Sequence, residues 1–270
     1  MPPHKLRAGR VLLELLVTLL IGLTPVGCGL LIVVWQVDKQ LEEAAEVALR
    51  ETLHNADGIL DEMHAASANV INLTDFPCEK ALPRLRTEVV LHPDLRSLVL
   101  VRENRAYCST LHGESQIIVD PGNYFNQRLR LEPGNSVTPD SAVLYYRLQE
   151  YPVGVLALSD GKHLQAILDR IMAKVTLVMQ FGDTYLWRDG IVAADDLPNH
   201  QEQHVLAVSS KYGYTVHAGY PDGHTVKETI ANVKQVLPSV LLVGMMTSAA
   251  AYWAMFRNGR RPSLAPSRMG

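Results

Sequence analysis

The chain has 270 residues, room for one or two domains, and 47% of them are apolar, an ordinary share for a globular protein. Charge is placed unevenly: of 25 Lys and Arg, seven lie near the two ends, and residues 36–235 carry 18 basic against 27 acidic side chains. That net of −9 excludes nucleic acid and an anionic membrane surface as partners of the middle segment.

Residues 15–35, "LLVTLLIGLTPVGCGLLIVVW", hold 21 positions without a charge, and residues 236–256, "VLPSVLLVGMMTSAAAYWAMF", hold another 21. A bilayer core takes about 20 apolar residues of helix, so both read as spans. The first is too long for a signal-peptide core and lacks a small-x-small cleavage site. The apolar run also continues past Cys28, against a lipoprotein site there. Pro25 is expected to kink the span. Lys5, Arg7 and Arg10 precede it without an acid, and Arg257, Arg260, Arg261 and Arg268 follow the second span without one. Positive flanks stay in the cytoplasm. The expected layout is a cytoplasmic N-terminus over 1–10, a first transmembrane helix over 11–35, an outer domain over 36–235, a second transmembrane helix over 236–256 and a cytoplasmic tail over 257–270. Trp35 marks the outer interface, and Tyr252 with Trp253 the inner one.

Residues 36–72 read as one long helix continuing the first span. Ala45, Leu49, Leu53, Ala56, Leu60 and Met63 recur at spacings of three and four and form a stripe that must pack on something. Pro77 ends this helix, and a second is predicted over 80–91. A hairpin follows: residues 97–102, a turn at Glu103-Asn104, and residues 105–110. "SQIIVD", "NQRLRLEP" and "AVLYYRL" read as short strands or connecting loops, and "YPVGVLALS" as a more buried strand. "DGKHLQAILDRIM" reads as a helix with Asp160 as its N-cap. Strands follow in "KVTLVMQF", in "YLW" to "GIVAA", in "HVLAVSS" and in "YGYTVHAG"; "DGHTVKETIANVKQ" is a helix feeding the second span. The fold class is α+β: two transmembrane helices flanking a mixed helix and antiparallel-sheet domain with a long N-terminal helix. This order resembles periplasmic sensor domains of the PAS/Cache-like class.

Three cysteines carry the first candidate chemistry. Cys28 lies in a span and reads as a small packing residue. Cys78 and Cys108 both lie in the segment expected outside, where disulfides persist. They form one pair, and closing a loop of about 30 residues stabilises a fold by about 3–4 kcal/mol on the chain-entropy estimate. Free or metal-bound thiols are the alternatives, and without a CxxC the metal reading is the weaker. Cys108 or Ser109 as nucleophile needs a base, and His112, near in sequence, reads as a surface loop residue. "HQEQH", residues 200–204, lacks the Glu directly after the first His that a zincin needs and reads as an exposed polar loop. His54 and His64 share a helix face and read as solvated. No metal site, phosphate-binding Gly loop or dinucleotide fingerprint is found, and no cofactor is expected. Gly244, Ser248 and Ala251 let helices approach closely, either in a homodimer or against another helix of the same chain. Tyr145, Tyr146, Trp187 and Tyr214 are candidate aromatic walls of a ligand pocket.

The basic N-terminus, the span, the long helix, a Cys after it and "RSLVLVRENRAYCSTLHG" resemble the CSS-motif sensor domain of bacterial cyclic-di-GMP phosphodiesterases. The motif is Cys-Ser-Ser; here it stands as Cys108-Ser109-Thr110, which keeps the hydroxyl. The resemblance implies a periplasmic, redox-responsive input domain in the inner membrane. Cys108 would pair with Cys78 through the periplasmic thiol oxidation machinery, and the disulfide state would control a phosphodiesterase. The catalytic domain of that family needs about 240 residues and a Glu-Ala-Leu motif. Only 14 residues follow Phe256, and no "EAL" occurs. The chain is thus expected to be no enzyme itself, and its output partner a separate cytoplasmic phosphodiesterase. The alternative is a small-molecule-binding sensor module with a purely structural disulfide.

Overall fold

The computed structural model describes residues 4–134, 141–171 and 175–257. They fall into two compact units: residues up to 41 with those from 223 onward, and residues 42–222.

The first unit is helical. It takes the N-terminal part of α1 (His4–Val70) and α4 (His224–Arg257). Both helices are long and apolar enough to cross a membrane. Their leucines stand exposed, as at Leu15, Leu19, Leu23 and Leu31, which suits a lipid-facing surface. Small residues set the approach between the two helices. A Cβ on Gly22 would fall 1.8 Å from Ser248 Oγ, and the Ser248 hydroxyl donates to the Thr18 carbonyl at 3.3 Å. Gly244 and Ser248 are therefore used within the chain, as expected of one of the two readings of that stripe. The side chains of Lys5, Arg7, Arg10 and Arg257, and the whole of Arg260, Arg261 and Arg268, lie outside the described residues.

The second unit holds the rest of α1 and two antiparallel sheets. The expected stripe is buried at Ala45, Leu49, Ala56, Leu60 and Met63, and extends to Ala66 and Val70. Leu53 is only half-buried. A short 3-10 turn leads from α1 to α2 (Cys78–Leu91), which starts two residues earlier than predicted because Pro77 serves as its N-cap. The strands of the first sheet are β1 (Leu95–Arg102), β2 (Arg105–Ser109), β3 (Gly113–Ile118), β4 (Leu129–Glu132), β5 (Val143–Glu150) and β6 (Val153–Asp160). Their spatial order is β3-β2-β1-β6-β5-β4. Glu103 and Asn104 both adopt positive φ, the backbone a two-residue turn needs to follow strand twist. Helix α3 (Lys162–Ile171) follows, and the Asp160 carboxylate accepts from the Lys162 amide at 3.0 Å.

The second sheet is separate, where the sequence shows only a succession of strands. It comprises β7 (Thr176–Phe181), β8 (Thr184–Trp187), β9 (Gly190–Val192), β10 (Glu202–Val208) and β11 (Thr215–Tyr220), in the order β10-β11-β7-β8-β9.

Polar groups on α1 hold the turn between β10 and β11. Asp57 accepts from the hydroxyls of Ser209 and Tyr214, both at 2.8 Å. One turn on, Asp61 accepts from Lys211 Nζ at 2.6 Å and from the Tyr212 hydroxyl at 2.7 Å. His64 Nδ1 lies 2.9 Å from the Tyr146 hydroxyl of the first sheet, and Tyr146 meets Tyr212 edge-on at 6.1 Å. The loop before β4 comes close to the turn between β10 and β11 at Gly213, whose φ is +79°; a Cβ there would meet Asn126 Nδ2 at 2.4 Å.

Asp57→Ala would leave the buried Ser209 hydroxyl without its acceptor and weaken the hold on Tyr214. The expected cost is about 1–3 kcal/mol, read as a lower Tm of the detergent-solubilised chain. The Lys211 ammonium, then the Tyr212 hydroxyl, hold the Asp61 carboxyl below its ordinary value. A lowered folded-state pKa contributes stability above the ordinary value of about 3.9 that is lost as pH falls through the lowered one. Asp61→Asn is therefore expected to lower Tm at neutral pH and to flatten the acid loss of stability, and a pH series of melting curves checks both.

Candidate functional site

The site is organised by an irregularity in β2. On β1, Leu100 pairs Cys108 and Val101 pairs Ala106, so Tyr107 is an extra residue. A bulge of this kind shifts the alternation of side chains by one. Tyr107 and Cys108 both turn toward the helices: the Tyr107 hydroxyl donates to the Thr74 carbonyl at 3.1 Å, and Cys108 is bonded to Cys78 in the first turn of α2. Ala106 and Ser109 turn to the opposite face and line a cavity. Had the strand alternated regularly through Tyr107, Cys108 would share a face with Ala106.

The Cys78–Cys108 disulfide spans 5.2 Å between Cα atoms and 30 residues of sequence. Both residues are buried. Arg102 braces the same junction by donating to the Thr74 carbonyl, and its guanidinium lies 5.1 Å from the Tyr107 ring centre.

The two hydroxyls of the motif have defined partners. Ser109 Oγ accepts from the Leu111 amide at 3.3 Å and shapes the turn into β3. Thr110 Oγ1 accepts from the Leu98 amide at 3.2 Å and lies 2.8 Å from Ser97 Oγ, a fully buried hydroxyl on β1. The motif therefore fixes the end of β2 to its neighbour as well as to α2.

The cavity on the other face measures about 280 Å³. Its apolar floor includes Val99, Ala106, Leu156 and Leu158, and Ser97, Ser109 and Ser115 add hydroxyls. Ser115 Oγ is buried with no hydrogen-bond partner. Arg130 and Glu132 form an ion pair at the wall. Burial, then the Glu132 carboxylate, push the Tyr145 phenol up to about 12, so it stays a donor at any physiological pH. Of the four aromatic candidates only Tyr145 lines this cavity. Tyr146 bonds His64, Tyr214 bonds Asp57, and Trp187 lies on β8.

Two expectations about histidine change. His64 is not simply solvated, since it bonds Tyr146. "HQEQH" is not an exposed loop: His200 is buried, and His204 lies on β10 beside His217 of β11. His112, by contrast, is exposed, as a loop residue should be, at the cavity edge.

The disulfide, the bulged strand and the C-terminal part of the long helix all lie within one stretch that a single family model covers. The chain belongs to the family described as the CSS motif domain associated with EAL, whose model matches residues 41–231. It is similar to the probable cyclic di-GMP phosphodiesterase PdeG of Escherichia coli strain K12, at 23% identity over 168 residues. That match takes in 62% of this chain and 33% of the relative, so the chain spans about a third of that protein. Among solved structures it is similar to the extracellular domain of the putative histidine kinase rpHK1S-Z16, at 12% identity, covering 71% of this chain and 97% of the other, with a TM-score of 0.47. It is also similar to the ligand-binding domain of the Campylobacter jejuni chemoreceptor Tlp3 in complex with 4-methylisoleucine, at 10% identity, covering 72% and 94%, with a TM-score of 0.44.

Thr110→Ser restores the family's motif and keeps the bonds to Leu98 and Ser97, so its Tm should match the parent. Thr110→Val strands the buried Ser97 hydroxyl and should cost about 1–3 kcal/mol in thermal or denaturant unfolding.

Proposed function

We propose that the chain is the input region of an inner-membrane signalling system that controls cyclic-di-GMP hydrolysis, and that the Cys78–Cys108 bond is its redox-responsive element. In this reading residues 36–235 face the periplasm and both termini the cytoplasm. The output is a phosphodiesterase, on a longer chain or on a separate one. Family membership and the likeness to PdeG support the pathway. The observation that carries the redox element is the placement of the bond at a strand whose two faces serve the helix junction and the cavity.

A dithiol that donates two electrons and two protons to the bond yields two thiols and its own disulfide. The first turn of α2 is then held to β2 by packing and by the Cys108 thiol, whose sulfur lies 3.7 Å from the Cys78 carbonyl oxygen. The chain-entropy stabilisation of about 3–4 kcal/mol is lost with it. Because both cysteines are buried, reductant enters only when α2 opens, so reduction reports on the stability of this junction. Reoxidation belongs to the periplasmic thiol oxidation machinery. The bistable element is the contact between α2 and β2, whose two states are biased by the bond.

A second reading is supported by the cavity. Its unpartnered Ser115 hydroxyl, the Tyr145 phenol and the Arg130–Glu132 pair suit a small polar molecule, with the disulfide as a staple.

Thiol trapping in growing cells, with Cys28→Ala as background, separates the two. Under the redox reading, Cys78 and Cys108 are partly reduced, the reduced fraction rises when periplasmic oxidation is impaired, and cellular cyclic-di-GMP follows it. A pair that stays fully oxidised in both conditions sinks that reading and leaves the ligand cavity.

A further inference from the structure

The second sheet carries a cluster that neither the disulfide nor the cavity uses. One nitrogen from each of His200, His204 and His217 lies within 4.8 Å of the other two. We propose that these three imidazoles form a binding site for a late first-row divalent cation, with Zn2+ as the reference ion and the fourth position open to water or an exogenous ligand.

The ring orientations argue for this. Gln180 Nε2 donates to the Gly182 carbonyl at 2.9 Å, which can only accept, so Gln180 Oε1 is the atom that faces His217 Nε2 at 2.9 Å. The His217 proton is therefore on Nε2, and its Nδ1 lone pair faces His204 Nε2 at 3.3 Å. His200 Nδ1 donates to the Pro198 carbonyl at 2.6 Å, which leaves its Nε2 as a lone pair. Two of the three rings thus have their far nitrogen tied to a carbonyl oxygen, the outer-shell arrangement that fixes metal-ligating histidines. His204 is the exposed member. Its proton moves to Nδ1, where water accepts it, and Nε2 turns to the cation with no net proton released. Partial burial, then the neighbouring imidazoles, hold His217 and His204 below the usual histidine value.

The separations fit the ion. A tetrahedral site with Zn–N bonds of about 2.0–2.1 Å sets its nitrogens about 3.3 Å apart, which the His204–His217 pair already meets. As all three nitrogens lie within 4.8 Å of one another, no pair need close by more than about 1.5 Å, a small movement for imidazoles turning about χ1 and χ2. Three neutral nitrogens without thiolate or carboxylate favour Zn2+, Cu2+ or Ni2+ over Ca2+ or Mg2+.

The backbone is shaped for the cluster. Gly219 of β11 gives His200 its place: a Cβ there would fall 2.1 Å from the His200 carbonyl oxygen. Asn199 anchors the same loop by donating to Asp222 at 2.6 Å. His204 lies two residues before Leu206, the residue opposite His217, and so shares its face, while an extra residue between Glu202 and Val205, with Gln203 at a φ of 50°, shifts the chain that arrives from His200.

The test uses the tag-free, detergent-solubilised full chain, titrated with Zn2+ against a chromophoric chelator. One equivalent per chain is expected. His204→Ala and His217→Ala should each weaken binding at least tenfold, and Gln180→Leu should weaken it by about 10–100-fold through the outer shell. His163→Ala, on α3 beside Asp94, should bind as the parent does. Zn2+ should raise the parent's Tm and leave that of His204→Ala unchanged. Should His217→Ala fail to fold, His204→Ala decides, because its ring is exposed. Substoichiometric uptake by the parent at micromolar Zn2+, or equal affinity in His204→Ala, overturns the proposal.

Discussion

Helix α1 meets the sheets through carboxylates and an imidazole as well as through its apolar stripe. Asp57 and Asp61 grip the turn between β10 and β11, and His64 reaches Tyr146 of the first sheet. Tyr146 and Tyr212 touch edge-on and close the connection between the sheets. The stripe from Ala45 to Val70 supplies non-directional burial. Hydrogen bonds are directional, so these few groups choose which rotation of the helix the burial settles into. Remove them and the apolar area remains, but its register against two separate sheets is no longer specified.

The bulge at Tyr107 does for the site what those groups do for the fold. It sends Cys108 to α2 and Ser109 to the cavity, although the two are adjacent in sequence. The redox and ligand readings therefore share one strand. A molecule pressing on Ser109 and a bond pulling on Cys108 act on opposite sides of the same backbone, so each reading predicts some response to the other's stimulus. The histidine cluster stands apart, since its residues are confined to the second sheet and the loop before it.

Much of the architecture was legible because it follows from period. The spacing of Ala45 to Met63 announced the long helix, and alternation about Glu103-Asn104 announced the hairpin with its two positive-φ residues. Cys78 and Cys108 could be paired because Cys28 sits in an apolar span. What stayed hidden depends on register. The bulge at Tyr107 appears only once β1 and β2 are paired. His217 lies 13 residues beyond His204 and comes beside it only through a hairpin with its own irregularity at Gln203. The roles of Asp57 and Asp61 had no local signal, as their partners lie about 150 residues on. The division into two sheets was invisible for the same reason, since short strands announce themselves one at a time and their partners do not.

The bulge also bears on how such a domain can drift. Replacing Tyr107 or Thr110 by a residue of similar shape leaves the sorting of faces intact. Gaining a single codon between Cys108 and Ser109 does not, because every side chain beyond it changes side at once. The serine would then stand against the helix, on the side the cysteine already occupies, and no neighbouring substitution restores the count. Among descendants of this sequence, the spelling of the motif is free to wander further than its length.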